Sequence, residues 1–290
     1  MADQAAYPPL NQLLGHDENA RLLILNADDA GMCHAVNTAV LDVLEAGLVK
    51  STTVMVPAPW FIEMVHLLRE RTEFHYGIHL TVTSEWDNLR WGPITDRDKV
   101  TSLLDEEGYF HHSEHVLFDH ADPDEIAAEF RAQIERALAL GLRPTHVDSH
   151  MGGYHWDERF FQSAKALAHE FGLTMRIGYA PRRDQLRAAG WIVPDRLVWD
   201  SYDVPINDRE MYYKETFRRL SPGVTEVLIH PGRPGDELSA ACGETAVHRE
   251  FDWRFFTDPQ TASFLESEGI VCIGYDQLQT LQQKQVGNAT

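Results

Sequence analysis

Two adjacent carboxylates, Asp28 and Asp29, follow a short apolar run at residues 22–25. The run predicts a buried strand that ends near Asn26, so both carboxylates should lie where the strand runs out into a loop. Two like charges at the mouth of an apolar element need a metal, another cation or a shared proton to neutralise one of them. We therefore interpret the pair as a metal ligand beside a general base.

Histidines follow or lie within several other predicted strands. His79 lies in the second half of one strand, and His230 follows another and precedes a proline. The segment Thr-His-Val-Asp-Ser-His at residues 145–150 is more specific than either. On an extended strand its alternation would place three polar groups on one face, namely His146, Asp148 and His150. A purely structural strand seldom aligns three such groups, so this pattern favours a function.

One carboxylate and two imidazoles would suit a catalytic divalent metal and leave positions open for water and substrate. Zinc and magnesium are the first candidates, and cobalt, manganese and iron remain possible on ligand type. Such a metal would make a water molecule far more acidic, and a neighbouring carboxylate would accept its proton. This chemistry indicates attack on a carbonyl carbon, with His230 as the acid that protonates the leaving nitrogen or oxygen.

The elements that must position these residues alternate between strands and helices. The apolar runs predict strands at residues 22–25, 51–56, 76–82, 144–148, 173–177, 196–200, 225–229 and 270–274. The helical spacing predicts helices at residues 35–46, 59–70, 122–140, 158–171, 184–189, 209–220, 244–256 and 260–268, and a terminal helix. Seven or eight mostly parallel strands that alternate with helices over about 250 residues predict an α/β fold, an irregular (β/α) barrel. Its strand ends should meet at one mouth, where Arg176 would join the histidines and carboxylates.

Residues 1–20 read as an N-terminal extension, and residues 21–290 as a single domain. A polar segment at residues 83–120, rich in Trp, His and Asp, interrupts the alternation and is too long for an ordinary connection. We interpret it as an insertion that shapes the substrate site. Its histidines could hold a second metal, although a solvated loop is the favoured interpretation: His111, His112, His115 and His120.

The composition excludes several classes of protein. A formal net charge of -20 disfavours binding to nucleic acid or to anionic membranes. Three widely spaced cysteines indicate neither a disulfide framework nor a Cys-x-x-Cys metal site, which favours a cytoplasmic protein. No apolar run of about 18 residues predicts a membrane span. A dinucleotide-binding motif, a P-loop and a serine-hydrolase motif are also missing from the sequence.

Five short motifs, taken in order, resemble those of the YdjC-like (ChbG–HpnK) carbohydrate deacetylases. They are Asn-Ala-Asp-Asp-x-Gly at 26–31, Ser-Thr-Thr at 51–53, Gly-Ile-His-Leu at 77–80, Thr-His-Val-Asp-Ser-His at 145–150 and His-Pro at 230–231. The resemblance runs from about residue 21 to residue 232 and extends more weakly to the C-terminus. It implies metal-dependent removal of an acetyl group from an N-acetylated sugar. It also implies a distorted barrel related to the NodB-type polysaccharide deacetylases.

Carried over by position, the resemblance implies that Asp29, His79 and His150 bind the metal. Asp28 would be the general base and His230 the general acid, and Arg176 would steady the base or the substrate. His146 and Asp148 would orient the ligands. His146 is also the main alternative to His150 as a metal ligand.

Where the family has further histidines, this chain reads Met-Gly-Gly-Tyr-His at residues 151–155. His155 could replace a missing imidazole from a shifted position. The aromatic residues expected to contact the sugar are Trp86, Trp91 and Tyr154.

Functions from other classes remain open at this stage. A sugar isomerase, epimerase or lyase could use the same ligands on the same barrel, and it would release no acetate. A non-catalytic sugar-binding protein would have no need of Asp28 next to the ligand Asp29. The expected partner is a small N-acetylated sugar, and a homodimer is possible.

Overall fold

A computed structural model describes residues 8–199 and 201–287 of the protein. All the strands pair in parallel within one sheet. They are β1 (Arg21–Ala30), β2 (Ser51–Val54), β3 (His75–Leu80), β4 (His146–Ser149), β5 (Thr174–Met175), β6 (Arg196–Val198), β7 (Gly223–Ile229) and β8 (Ile270–Cys272). Each lies at or close to a strand that the sequence predicts.

Strand β1 is the centre of this sheet. The strand order is β5-β4-β3-β2-β1-β7-β6, and β8 pairs with the first residues of β1, on the other side from β7. Within the described ranges β5 and β6 do not pair with each other, so the sheet curves without closing. The predicted irregular barrel of seven or eight mostly parallel strands is confirmed.

Helices connect the strands and cover the sheet, as expected for parallel strands buried on both faces. They are α1 (Leu10–Leu13), α2 (His34–Glu45), α3 (Phe61–Leu68), α4 (Glu114–His120), α5 (Pro123–Ala139), α6 (Gly153–Trp156), α7 (Glu158–Glu170), α8 (Ala180–Ala188), α9 (Arg209–Arg218), α10 (Asp236–Cys242), α11 (Ala246–Thr257), α12 (Pro259–Ser267) and α13 (Tyr275–Gly287). Four short helices, α1, α4, α6 and α10, are absent from the sequence-based prediction, because each is too short to show a helical period.

The side chains of β1 alternate between two apolar clusters. Leu23 and Leu25 belong to the main core, together with α2 and α3. Leu22 and Ile24 belong to a smaller cluster that includes Leu10, from the segment predicted as an N-terminal extension. Asn26 and Asp28 follow Ile24 by two and four residues. Because side chains alternate between the two faces of a strand, these polar residues lie on the same face as Leu22 and Ile24.

The insertion at residues 83–120 has its own short elements and packs on α5. It contains two 3-10 turns, Arg97–Lys99 and Thr101–Leu103, followed by α4. The carboxylate of Glu129 on α5 accepts hydrogen bonds from the backbone N–H groups of Ile94 and Thr95. This anchorage fixes the insertion beside the carboxyl ends of β3 and β4.

Candidate active site

A bulge in β1 brings both aspartates to the same cavity. The pairing of β1 with β2 shifts register between Ala27 and Ala30, and Asp29 has a φ of 68°. Consecutive side chains on a regular strand point to opposite faces, so only an irregularity can turn two neighbouring carboxylates to one side. The sequence-based prediction of a loop after Asn26 is therefore wrong: the strand continues to Ala30, and the distortion lies inside it.

Asp29 and two histidines form a compact group of possible metal ligands. Asp29 Oδ1 lies 3.3 Å from His79 Nε2 and 3.3 Å from His150 Nδ1. All three side chains are buried, and Asp29 Oδ1 has no hydrogen-bond partner in the structure. A buried carboxylate oxygen without a partner, flanked by two imidazole nitrogens, is the arrangement that a bound cation would satisfy. The three residues thus fit a divalent metal site.

A carboxylate holds the other nitrogen of each imidazole. His79 Nδ1 lies 2.6 Å from Asp148 Oδ1, and His150 Nε2 lies 2.9 Å from Glu85 Oε2. Burial disfavours protonation of both rings, but the surrounding carboxylates outweigh it and raise the pKa of His79 to about 9 and that of His150 to about 10. The electric field between these groups therefore favours positive charge.

Asp28 is held by a fully buried arginine. Arg176 donates from Nη1 and Nη2 to the two oxygens of Asp28, at 2.7 Å each, and Asn26 Nδ2 donates to Oδ1 at 2.7 Å. The same guanidinium contacts Asp148 at 2.7 Å and Glu226 at 2.8 Å. Burial by itself would raise the pKa of Asp28, but the charge of Arg176 lowers it below its usual range. Asp28 is consequently ionised and fixed in orientation.

Glu226 gives this cluster a pH-dependent stability. Burial raises its pKa to about 7, although Arg176 and Tyr275 donate hydrogen bonds to its carboxylate. The folded protein therefore holds a proton that the unfolded chain has lost above its ordinary pKa of 4.5. The protonated Glu226 therefore contributes its full stabilising free energy below pH 4.5, and this contribution disappears as the pH rises through about 7.

We expect Glu226→Gln to remove this dependence, because glutamine keeps the shape and carries no titratable proton. Between pH 5 and pH 8 the wild type should lose about 2 to 3 kcal/mol of unfolding free energy relative to the variant. Urea titrations of both proteins at several pH values measure the difference. A constant difference across this range would contradict the assignment.

His230 lies at the carboxyl end of β7 and lines the cavity. Its backbone N–H donates to Asp252 Oδ2 at 2.9 Å, and Arg209 holds the other oxygen of Asp252. The imidazole packs near the ring of Tyr202, with 5.0 Å between the centroids. Its charge also contributes to the low pKa of Asp28. The ring is therefore close to Asp28, the proposed base.

The cavity has a volume of about 420 Å³. Its wall includes the proposed metal ligands, the proposed base and acid, and several aromatic side chains. The residues that line it include Asp28, Asp29, His79, Glu85, Trp86, His150, Trp156, Arg176, Trp199, Tyr202, His230 and Arg249.

His146, predicted to orient the ligands, and His155, predicted to replace a missing imidazole, both lie apart from the group formed by Asp29, His79 and His150. The ring of His146 stacks on Tyr275 with 3.6 Å between the centroids, and it fills the space over Gly77. His155 packs against Tyr154 and Trp199 and contacts no carboxylate in the described ranges. Burial lowers the pKa of His155 to about 3, so its ring is neutral. In the described ranges Asp148 contacts the proposed ligand His79, whereas neither His146 nor His155 belongs to the group that Asp29, His79 and His150 form.

Two of the three predicted sugar-contacting aromatics do not line the cavity. Trp91 is buried, donates to the Thr83 carbonyl oxygen and packs its ring edge on His150. Tyr154 is fully buried, and its hydroxyl donates to the Arg176 carbonyl oxygen. Trp86 does reach the cavity. The histidines at residues 111–120 form no candidate metal-binding group among the described residues.

A family model for YdjC-like proteins matches residues 22–267. The chain belongs to the YdjC-like family. The family motifs at residues 26–31, 77–80, 145–150 and 230–231 all border the described cavity.

Curated relatives of this YdjC-like chain include carbohydrate deacetylases. The carbohydrate deacetylase of Thermoanaerobacter pseudethanolicus is 28% identical over 255 residues, which cover 88% of this chain and 98% of the relative. The carbohydrate deacetylase of Thermus thermophilus is 32% identical over 227 residues, 75% of this chain and 80% of the relative. A crystal structure of an Enterococcus faecalis protein assigned to cellobiose-phosphate cleavage superposes with a TM-score of 0.77. It is 26% identical and covers 89% of this chain and 99% of its own.

Three charged residues of the site are missing from the sequence-based prediction. Glu85 lies in the polar insertion, Glu226 lies within the apolar strand β7, and Arg249 lies on α11. Arg249 Nη2 donates to Asp29 Oδ2 at 2.6 Å, which leaves Oδ1 of that carboxylate to the metal site. Only Glu226 gives a signal in the sequence, because a lone acid inside an apolar strand needs a buried partner.

No helix in the described ranges is long and apolar enough to cross a bilayer.

Proposed function

We propose that this protein is a metal-dependent hydrolase that removes the acetyl group from an N-acetylated sugar. The observation that carries the proposal is the bulge in β1, which turns Asp28 and Asp29 toward the cavity that also holds His79, His150 and His230. The curated relatives named carbohydrate deacetylases support the same reaction. A ligand carboxylate and a second, arginine-held carboxylate in adjacent positions suit hydrolysis by an activated water.

Asp29, His79 and His150 would hold the metal. When bound, a divalent cation supplies polarisation of the amide carbonyl and acidification of water. Two imidazoles and one carboxylate favour zinc, whereas magnesium prefers an all-oxygen environment. Cobalt, manganese and iron remain candidates for the same donors. Arg249 donates to Asp29 Oδ2, and Oδ1 is the oxygen of this carboxylate that faces both imidazoles.

Asp28 would accept the proton of the attacking water. Arg176 keeps it ionised and orients both of its oxygens. Because Oδ1 also accepts a hydrogen bond from Asn26 Nδ2, Oδ2 is the oxygen that retains a free lone pair. Because three carboxylates surround the Arg176 guanidinium, this arginine steadies the base rather than the substrate.

His230 would donate a proton to the leaving nitrogen of the sugar. We expect His230→Ala to slow release of acetate from the sugar amide by about 10²-fold or more, because an amine leaves poorly without a proton. An aryl acetate has a good leaving group, so its hydrolysis should fall by less than about 10-fold. Steady-state rates on both substrates test this difference. His115→Gln, on the exposed surface of the insertion, is a control; equal losses on the two substrates would remove His230 as the acid.

Aromatic side chains at the cavity suit a sugar ring. Trp86, Trp156 and Trp199 line it, and the Trp156 side chain is 60% exposed at the rim. Flat indole faces pack against the apolar face of a pyranose, while the charged groups deeper in the cavity would engage the acetamido group.

Release of acetate, measured with and without a chelator, tests the proposed reaction. The substrates are N-acetylglucosamine, its oligomers, a phosphorylated N-acetylated disaccharide and N-acetylated glycolipids or nucleotide sugars. We expect acetate from at least one of them, and its loss on chelation. If none releases acetate, the reaction becomes that of a sugar isomerase, epimerase or lyase, which the same ligands would serve.

We further propose a cytoplasmic location, because the three cysteines are free thiols: Cys33, Cys242 and Cys272. A homodimer remains a prediction that analytical ultracentrifugation tests.

A further inference from the structure

A carboxylate from the insertion forms a hydrogen bond with one of the proposed metal ligands. Glu85, near the start of the insertion, has its Oε2 atom 2.9 Å from His150 Nε2. The Glu85 side chain is 16% exposed, and that of His150 is 4% exposed. This contact uses the imidazole nitrogen that faces away from Asp29, because Nδ1 is the atom that lies 3.3 Å from Asp29 Oδ1.

The contact between Glu85 and His150 matches the contact between Asp148 and His79. In both pairs one nitrogen faces Asp29 Oδ1, and a carboxylate accepts a hydrogen bond from the other. Such a carboxylate fixes the ring, selects the tautomer whose lone pair is free and makes that lone pair more basic. The two pairs differ in origin: Asp148 belongs to strand β4, whereas Glu85 belongs to a connecting segment.

A second side chain of the insertion also contacts His150. The indole of Trp91 meets the imidazole edge to face, with 5.8 Å between the centroids, and its Nε1 is tied to the Thr83 carbonyl oxygen. His150 begins a 3-10 turn whose next residue, Met151, has a φ of 51°. Two contacts of the His150 ring, with Glu85 and with Trp91, therefore come from the insertion.

We infer that Glu85 is a positioning residue that orients His150 for metal binding, so that the insertion completes the metal site. The metal affinity of the protein then depends on a residue outside the barrel strands. The inference rests on the proposed metal-dependent function. Metal affinity is measured with no sugar present, so its result is separate from the result of the acetate assay.

Competition for Zn²⁺ between the metal-free protein and a chromophoric chelator tests the inference. We expect Glu85→Gln to weaken Zn²⁺ binding by about 10-fold and Glu85→Ala by up to about 100-fold. Glu106→Gln, an exposed acid of the same insertion, should bind Zn²⁺ as the wild type does. Affinity of Glu85→Ala within about twofold of the wild type would overturn the inference.

A spectroscopic readout separates orientation from general damage to the fold. Cobalt(II) bound in place of zinc has visible absorption bands that report its ligand geometry. We expect these bands to change in Glu85→Gln while the thermal midpoint of the metal-free variant matches that of the wild type. Unchanged bands at full cobalt occupancy would show that Glu85 does not position His150.

Discussion

Asp28→Asn should lower kcat for acetate release by about 10³-fold while leaving the metal bound. The asparagine side chain has the shape of aspartate and can still accept hydrogen bonds, but it cannot take a proton from water. The fold should survive, because Arg176 keeps two carboxylate partners, Asp148 and Glu226. Acetate release gives kcat, and titration against a chelator gives the metal affinity.

The exposed residue Asp98 provides a control for this change, since Asp98→Asn alters the net charge equally and lies outside the cavity. Near-normal turnover by Asp28→Asn would remove Asp28 as the base. Joint loss of metal and activity would instead assign Asp28 to the metal ligands.

His150→Ala is expected to abolish metal binding and activity together. Only Asp29 and His79 would remain near the cation, and Glu85 would lose its hydrogen-bond partner. The metal affinity should fall by more than about 100-fold, the upper range for loss of a residue that merely orients a ligand. Titration of the metal-free variant with Zn²⁺, followed by an assay in excess metal, measures both effects.

His146→Gln is the matched comparison, because His146 was the main rival as a ligand. It stacks on Tyr275 and contacts neither Asp29 nor His79 within hydrogen-bond distance. We expect this variant to be less stable and to keep its metal affinity. A similar affinity loss in both variants would show that the structural distinction between the two histidines is wrong.

The barrel follows from local sequence patterns. Apolar runs separated by helical periods predict parallel strands, and the carboxyl ends of such strands lie on one side of the fold. This reasoning places Asp28, His79, Asp148, Arg176 and His230 around a common mouth, where the structure has them. Periodicity works here because burial of apolar side chains is a short-range property of each element.

Contacts between segments that are distant in the sequence could not be predicted from these local patterns. Nothing near Glu85 in the sequence indicates His150, which lies 65 residues later. Trp91 and Tyr154 are aromatic residues of the kind that contact sugars, yet both side chains are buried in the structure. Trp91 packs on His150, and the Tyr154 hydroxyl donates to the Arg176 carbonyl oxygen. The sequence around an aromatic residue does not distinguish a side chain that packs in the core from one that faces a ligand.

The sequence by itself determined the strand and helix order, the side of the barrel that carries the chemistry and the residue types available there. The family resemblance implied different roles for Asp28 and Asp29, but only the tertiary structure decided how these two adjacent side chains reach the same cavity. Two adjacent side chains on a strand diverge unless the strand is distorted, and the bulge between Ala27 and Ala30 depends on pairing with β2. That pairing joins residues more than twenty positions apart, beyond the reach of any local pattern.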